Sequence, residues 1–226
     1  MDLNIKFDNF STVDMVILHF KGKLRDKQSI IPDRLLLMYL ISKSTNSEFG
    51  ITKLQKMAYL ADYFLAKSGI STYNYKFYRW NYGPCSMELY ADYDDLVDNG
   101  LVDSGIIKLT DKGQRLISSF EGFFKENRGI LEKLDDIIYE HRGKSLTEIK
   151  NYVYDIELPT SSGSKRIEDI EKGIDLTPQL EDDIVKHKFE LDASWIDTYF
   201  VLSNEKASAS LRQGIEDVRE GRVRVS

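Results

Sequence analysis

Apolar residues recur at helical spacing through most of this chain, and short alternating runs interrupt them. Leu35, Leu36, Leu37, Leu40 and Ile41 follow Pro32, a residue tolerated in a first helical turn, and predict one helix. The polar stretch 44–50 reads as a loop. A second helix is expected over about 51–68. Leu54, Ala58, Ala61 and Leu65 form its stripe, Met57, Leu60 and Phe64 widen it, and Gly69 ends it. Residues 73–80 alternate and are rich in aromatics, so they read as a strand, punctuated by Tyr82-Gly83-Pro84. A third helix is expected over 84–99, with Leu89, Tyr93, Leu96 and Val97 on one face. Leu101-Val102 and residues 106–109 read as short strands around Asp103-Ser104-Gly105, where Gly105 is free to take a positive φ. Thr110 then caps a helix carrying Leu116, Ile117, Phe120, Phe123 and Phe124.

The second half is mostly helical in pattern. Leu131, Leu134, Ile137 and Ile138 make one amphipathic face, and Ser145 with Glu148 forms a capping box that opens the face of Ile149, Tyr152 and Val153. The serine-rich stretch 159–164 reads as a loop, Thr177-Pro178 as a helix start, and residues 204–210 as a linker. The first thirty residues stay open: Val13, Val16, Ile17 and Phe20 fit a helical face, while Ile5, Phe7, Val13, Met15 and Ile17 fit strands. The expected fold class is α+β, predominantly α-helical. Helix, helix, strand, helix, hairpin, helix is the layout of a winged helix-turn-helix core, with the β-hairpin as wing and residues 84–99 at the recognition position. The chain divides into an N-terminal extension (1–30), this core (31–127), a helical C-terminal region (128–203) and a tail (204–226).

Composition narrows the function. Thirty-one Lys and Arg stand against 37 Asp and Glu, a net charge of −6, whereas phosphate binding needs a basic footprint. A single cysteine, Cys85, excludes an internal disulfide and a cysteine-rich metal site. His19, His141 and His187 lie too far apart in sequence for a helical metal pair. With no long apolar run and no basic leader, a cytoplasmic location is expected.

Local charge narrows it further. The third helix carries Glu88, Asp92, Asp94, Asp95 and Asp98 and no Lys or Arg, so a groove-reading role would set its acids against phosphates. These acids read either as a solvated face or as a surface for a basic partner protein. Lys53, Lys56 and Lys76, with Arg79, offer the alternative of a phosphate contact, or are ordinary surface charges. Gly83 and Pro84 read as the structural turn, while Arg79, Trp80 and Tyr82 beside it are residue types enriched at interface hot spots. Gly143-Lys144-Ser145 lacks the glycine a phosphate loop needs five positions earlier, where Ile138 stands. Cys85 has no histidine near it in sequence. No enzyme activity and no cofactor or metal is expected.

Two segments resemble known families. Residues 53–61, Lys-Leu-Gln-Lys-Met-Ala-Tyr-Leu-Ala, followed by 79–84, Arg-Trp-Asn-Tyr-Gly-Pro, resemble the Panacea domain of SocA-like antitoxins and its winged-helix, YwgA-like relatives. Leu-Thr-Asp-Lys-Gly at 109–113 fits the wing and next-helix start of such proteins. The tail 210–223, with Leu211, Ile215, Asp217 and Arg222, resembles the C-terminal segment of RelB-like and Phd-like antitoxins. The resemblance implies an antitoxin that binds and neutralises a toxin protein by direct contact. Its binding residues would be Arg79, Trp80, Tyr82, Glu88, Asp92, Asp95, Leu211, Ile215, Asp217 and Arg222. A DNA-binding regulator or an adaptor is the alternative, and the oligomeric state is left open.

Overall fold

The computed structural model describes residues 25–44, 50–161, 163–180 and 185–222. The open reading of residues 5–20 and the end of the tail lie outside the described residues. The described chain is mostly helical with four small two-stranded sheets, an α+β architecture.

Helix α1 (Lys27–Lys43) begins earlier than expected, because Asp26 caps it by accepting from the Ser29 amide at 2.9 Å. Pro32 therefore lies inside the helix and not in its first turn. The unbroken apolar run from Leu35 to Ile41 has no polar face, and α1 is buried all round that stretch. Helix α2 (Ile51–Lys67) packs beside it.

The expected strand over 73–80 forms only in part. β1 (Ile70–Ser71) precedes it, and β2 (Tyr78–Trp80) pairs antiparallel with β3 (Gly83–Cys85). Tyr73, Tyr75 and Phe77 still point into the core, but alternation alone supplies no partner strand. Because β3 occupies Gly83–Cys85, helix α3 (Met87–Asp98) starts three residues after Pro84, on the Ser86 N-cap.

β4 (Val102–Asp103) and β5 (Lys108–Leu109) form the expected hairpin. Gly105 does not take a positive φ there. Instead the Asp103 carboxylate accepts from the Gly105 amide at 2.8 Å and closes the turn itself. Thr110 caps α4 (Asp111–Ser119) as expected, and the chain breaks at Phe120 before α5 (Glu121–Glu126).

α6 (Arg128–His141) and α7 (Leu146–Tyr154) both pack on α2, and α7 carries the expected capping box of Ser145 and Glu148. The stretch read as a loop is a hairpin, β6 (Glu157–Thr160) with β7 (Gly163–Arg166). Ser164 sits on an exposed position of β7, where its hydroxyl donates across the hairpin to Glu157 Oε2 at 3.1 Å. Thr177-Pro178 starts no helix among the described residues. The chain before it runs extended along β2, with the Leu176 amide donating to Phe77 O at 2.8 Å and the Arg79 amide to Ile174 O at 2.8 Å. β8 (His187–Lys188) pairs parallel with β1.

α8 (Ala193–Ser203) and α9 (Glu205–Arg219) complete the described chain. Residues 204–210 are the start of α9 and not a linker, since Asn204 accepts from the Lys206 and Ala207 amides at 3.0 and 3.1 Å. One cluster of buried side chains runs from Ile31 to Tyr199 and draws members from both sides of residue 127. No helix among the described residues is long and apolar enough to cross a membrane.

Candidate partner-binding face

The two sequence motifs in the core meet in space. Gln55 on α2 grips Ser86 twice, Nε2 donating to Ser86 O at 2.8 Å and Oε1 accepting from the Ser86 amide at 2.9 Å. Lys56, one residue on, donates to Pro84 O at 2.6 Å. Lys56 is fully enclosed, and burial lowers its pKa to about 8. Lys53 is also buried and donates to Arg142 O and Lys144 O at 3.1 and 2.7 Å, a cation set at the C-terminal end of α6. Lys53 and Lys56 are thus corrected from surface cations to internal clamps. Their stems are buried and their ammonium groups reach main-chain carbonyls. Lys76 stays exposed.

The turn is held from the other side by Tyr154. Its ring lies under the Arg79 guanidinium, 5.1 Å from centroid to Cζ, and its hydroxyl donates to Asn81 O at 3.0 Å. Arg79 is itself buried and donates to Ile167 O at 2.8 Å. Arg79 is therefore a structural tie to the turn after β7, not a docking residue. Trp80 is half-buried, and Tyr82 remains 48% exposed. Cys85 is buried, which raises its thiol pKa to about 11 and leaves it a poor nucleophile.

The acidic helix α3 splits by face. Asp92 is only 1% exposed and lies between Arg25 Nη2 at 2.8 Å and Arg34 Nε at 2.9 Å. Arg25 also binds Asp33 at 2.6 Å, and Arg34 pairs with Asp95. Asp92 is corrected accordingly: it serves an internal ion network that fastens α3 to α1, while Asp95, paired with Arg34, keeps its side chain 52% exposed at the rim of that network. The cations come from residues 25 and 34, far away in sequence, so no helical pattern on α3 could reveal them. Glu88 is half-buried and accepts from the Lys76 amide.

Asp94 and Asp98 face elsewhere. With Tyr90, Tyr93, Val97 and Ile107 they line a cleft of about 440 Å³ between α3, the start of α2 and the β4–β5 hairpin. Among the described residues, no Lys or Arg lines it. Partial burial, then Asp98 and Asp95 nearby, push the Asp94 carboxyl above the usual carboxylate range. Ile106, at the hairpin tip beside this cleft, is 56% exposed. The sequence reading counted Asp94 and Asp98 among the acids but did not separate them from Asp92, because only the packing of α1 on α3 divides the two faces.

The tail presents a second surface. Leu211, Ile215 and Val218 on α9 are 51, 46 and 66% exposed, in one stripe. Asp217 and Arg222 bind each other at 2.7 Å, so these two expected contact residues neutralise one another within the tail. Between α4 and the α8–α9 pair, Lys112, Arg115 and Arg212 line a cleft of about 510 Å³, a basic group that the sequence reading missed because its members lie a hundred residues apart. Among the described residues, no three His, Cys, Asp or Glu side chains are placed to hold a metal ion. No family model, curated protein or solved structure matches this chain.

Proposed function

We propose that this chain is an antitoxin-type binding protein of the cytoplasm that covers a basic partner protein with the acidic side of α3. In this reading α1, α2 and α3 with the β4–β5 hairpin make a winged-helix-like core, and the helix at the recognition position faces protein instead of DNA. The observation that carries it is the cleft of Tyr90, Tyr93, Asp94 and Asp98, which has acids and tyrosines and, among the described residues, no cation in its lining. Such a cleft suits an inserted Arg or Lys side chain, the aliphatic stem against Val97 and Ile107 and the charge between carboxylates and tyrosine rings. Acidic complementarity of this kind speeds encounter with a basic protein and disfavours nucleic acid. Activity then needs no chemistry on this chain, only occlusion of the partner's working surface.

The test is co-expression with the product of the neighbouring reading frame. The expected result is a stable complex and relief of that product's toxicity. Asp94→Lys with Asp98→Lys should slow association about tenfold and weaken its salt dependence. Failure of both co-purification and growth rescue would refute the proposal.

A DNA-binding regulator remains the second reading, and one observation favours it: the basic cleft of Lys112, Arg115 and Arg212. A gel-shift on the chain's own promoter separates the readings. Binding at physiological salt that is lost in Arg115→Glu and Arg212→Glu would favour the regulator.

A further inference from the structure

Helix α4 turns Lys112, Arg115, Leu116 and Ser119, which share one helical face, toward the α8–α9 pair. Leu202 of α8 and Ser208, Ala209 and Arg212 of α9 stand across from them, and the two sets enclose the cleft of about 510 Å³. Among the described residues its lining holds three cations and no acid, in a chain whose net charge is −6. Arg25, Arg34, Arg128, Arg166 and Arg222 each meet a carboxylate. The side chains of Arg115 and Arg212 meet no partner among the described residues. Lys112 lies beside them, its ammonium donating to Asn99 O at 2.8 Å. Like charges gathered in one hollow repel, and an anion placed between them turns that repulsion into attraction.

The walls are held in place. Thr110 caps α4, accepting from the Gly113 amide at 3.1 Å. Asn204 caps α9, and the Ser208 hydroxyl ties it to α8 by donating to Val201 O at 2.6 Å. Arg212 follows Ser208 by one helical turn, so its backbone is fixed opposite α4. Guanidinium forks match phosphate oxygens two at a time. The rest of the lining suits an organic body. Leu116 is buried and Leu202 is 37% exposed, which supplies apolar contact. The hydroxyl protons of Ser119 and Ser208 go to Arg115 O and Val201 O, which leaves their oxygens to accept from hydroxyl groups such as those of a sugar. The volume falls within the range of about 300–1,000 Å³ found for small-molecule sites. A DNA duplex suits the cleft less well. Duplex binding gathers its strength from many phosphates along a basic surface, whereas these cations converge in one hollow.

We propose that this cleft binds a small phosphomonoester with a hydroxylated organic part of sugar to nucleoside size, its phosphate held between Arg115 and Arg212. The site is separate from the acidic cleft on α3, so it stands whether or not that cleft takes a partner protein. It gives the basic cleft a different occupant from the DNA of the regulator reading, and the test separates the two.

Isothermal titration calorimetry of the full chain with AMP and with ribose 5-phosphate tests this. The expected result is one-site binding of at least one of them, with no heat from adenosine or ribose. Arg115→Gln with Arg212→Gln should weaken binding about tenfold or more. Both residues are exposed, so circular dichroism should show the fold unchanged. Ala209→Trp is the sharper variant. It keeps every charge and fills the cleft from an exposed position on α9, so it should also weaken binding about tenfold or more, whereas diffuse attraction of anions to a basic surface would not respond. Absence of binding by both phosphomonoesters at millimolar concentration overturns the proposal. So does binding indifferent to Ala209→Trp or to the arginine pair. A promoter duplex that needs Arg115 and Arg212, and that neither phosphomonoester displaces, overturns it in favour of the regulator.

Discussion

At Gly83 the backbone takes φ +94°, and a Cβ there would stand 3.1 Å from Tyr154 Cε1. Both facts bar a side chain, so Gly83→Ala should cost about 1–3 kcal/mol, measured as a fall in the urea midpoint at constant m value. That turn was legible in the sequence, since Gly-Pro after an aromatic strand is a turn signal. Its neighbours were not. Lys56 and Arg79 read as surface cations because residue type is a prior on exposure, and here each buries its charge against main-chain carbonyls. Asp62 is a further buried acid, accepting from Thr72 Oγ1 at 3.1 Å. Burial raises its pKa to about 7 against hydrogen bonds from Thr72 and Tyr73, whereas an unfolded aspartate titrates near about 4. The native state therefore keeps a proton that the unfolded chain gives up. Its contribution to stability is full below about pH 4 and is lost as pH rises through about 7. Asp62→Asn should flatten the decline in stability across that window, and equal slopes for the two proteins would refute the assignment.

Among the elements, capped helices were read most faithfully. Thr110 and the Ser145–Glu148 box each satisfy orphan amides with a local side chain, so three or four consecutive residues carry the whole signal. Asn204 acts the same way but was hidden among small polar residues that resemble a linker. Asn204→Ala should therefore loosen the first turns of α9 by about 1 kcal/mol, seen as roughly fivefold faster amide exchange there, with α1 and α2 unaffected. Strands were read less well. β1, β4, β5 and β8 are two residues each, too short for period-two alternation to register. The extended segment before Thr177 is held by β2, a partner about a hundred residues away, which no local window contains.

Across the whole molecule, the ion network of Arg25, Asp33, Asp92 and Arg34 joins the start of α1 to α3. Among the described residues, Arg25 is the one cation that touches both Asp33 and Asp92, so Arg25→Ala takes an ion-pair partner from each of two buried acids. It should cost about 3–5 kcal/mol in chemical denaturation. A smaller loss in an Arg25→Ala, Asp33→Asn double variant than the single changes sum to would identify the coupling. The net charge of −6 also takes on a clearer form here. Some acids are spent inside, some line the α3 cleft, and three cations gather at α4 and α9. The amino-acid sequence by itself determined the helical character, the caps, the Gly-Pro turn, the β4–β5 hairpin and the apolar stripe of α9, because each rests on residues within about one helical turn or one hairpin. Only the tertiary structure decided which charges are internal and which stay at the surface. Burial and ion pairing depend on groups brought together from distant parts of the chain, and the desolvation that separates a clamp such as Lys56 from a surface lysine exists only once the core has closed around it.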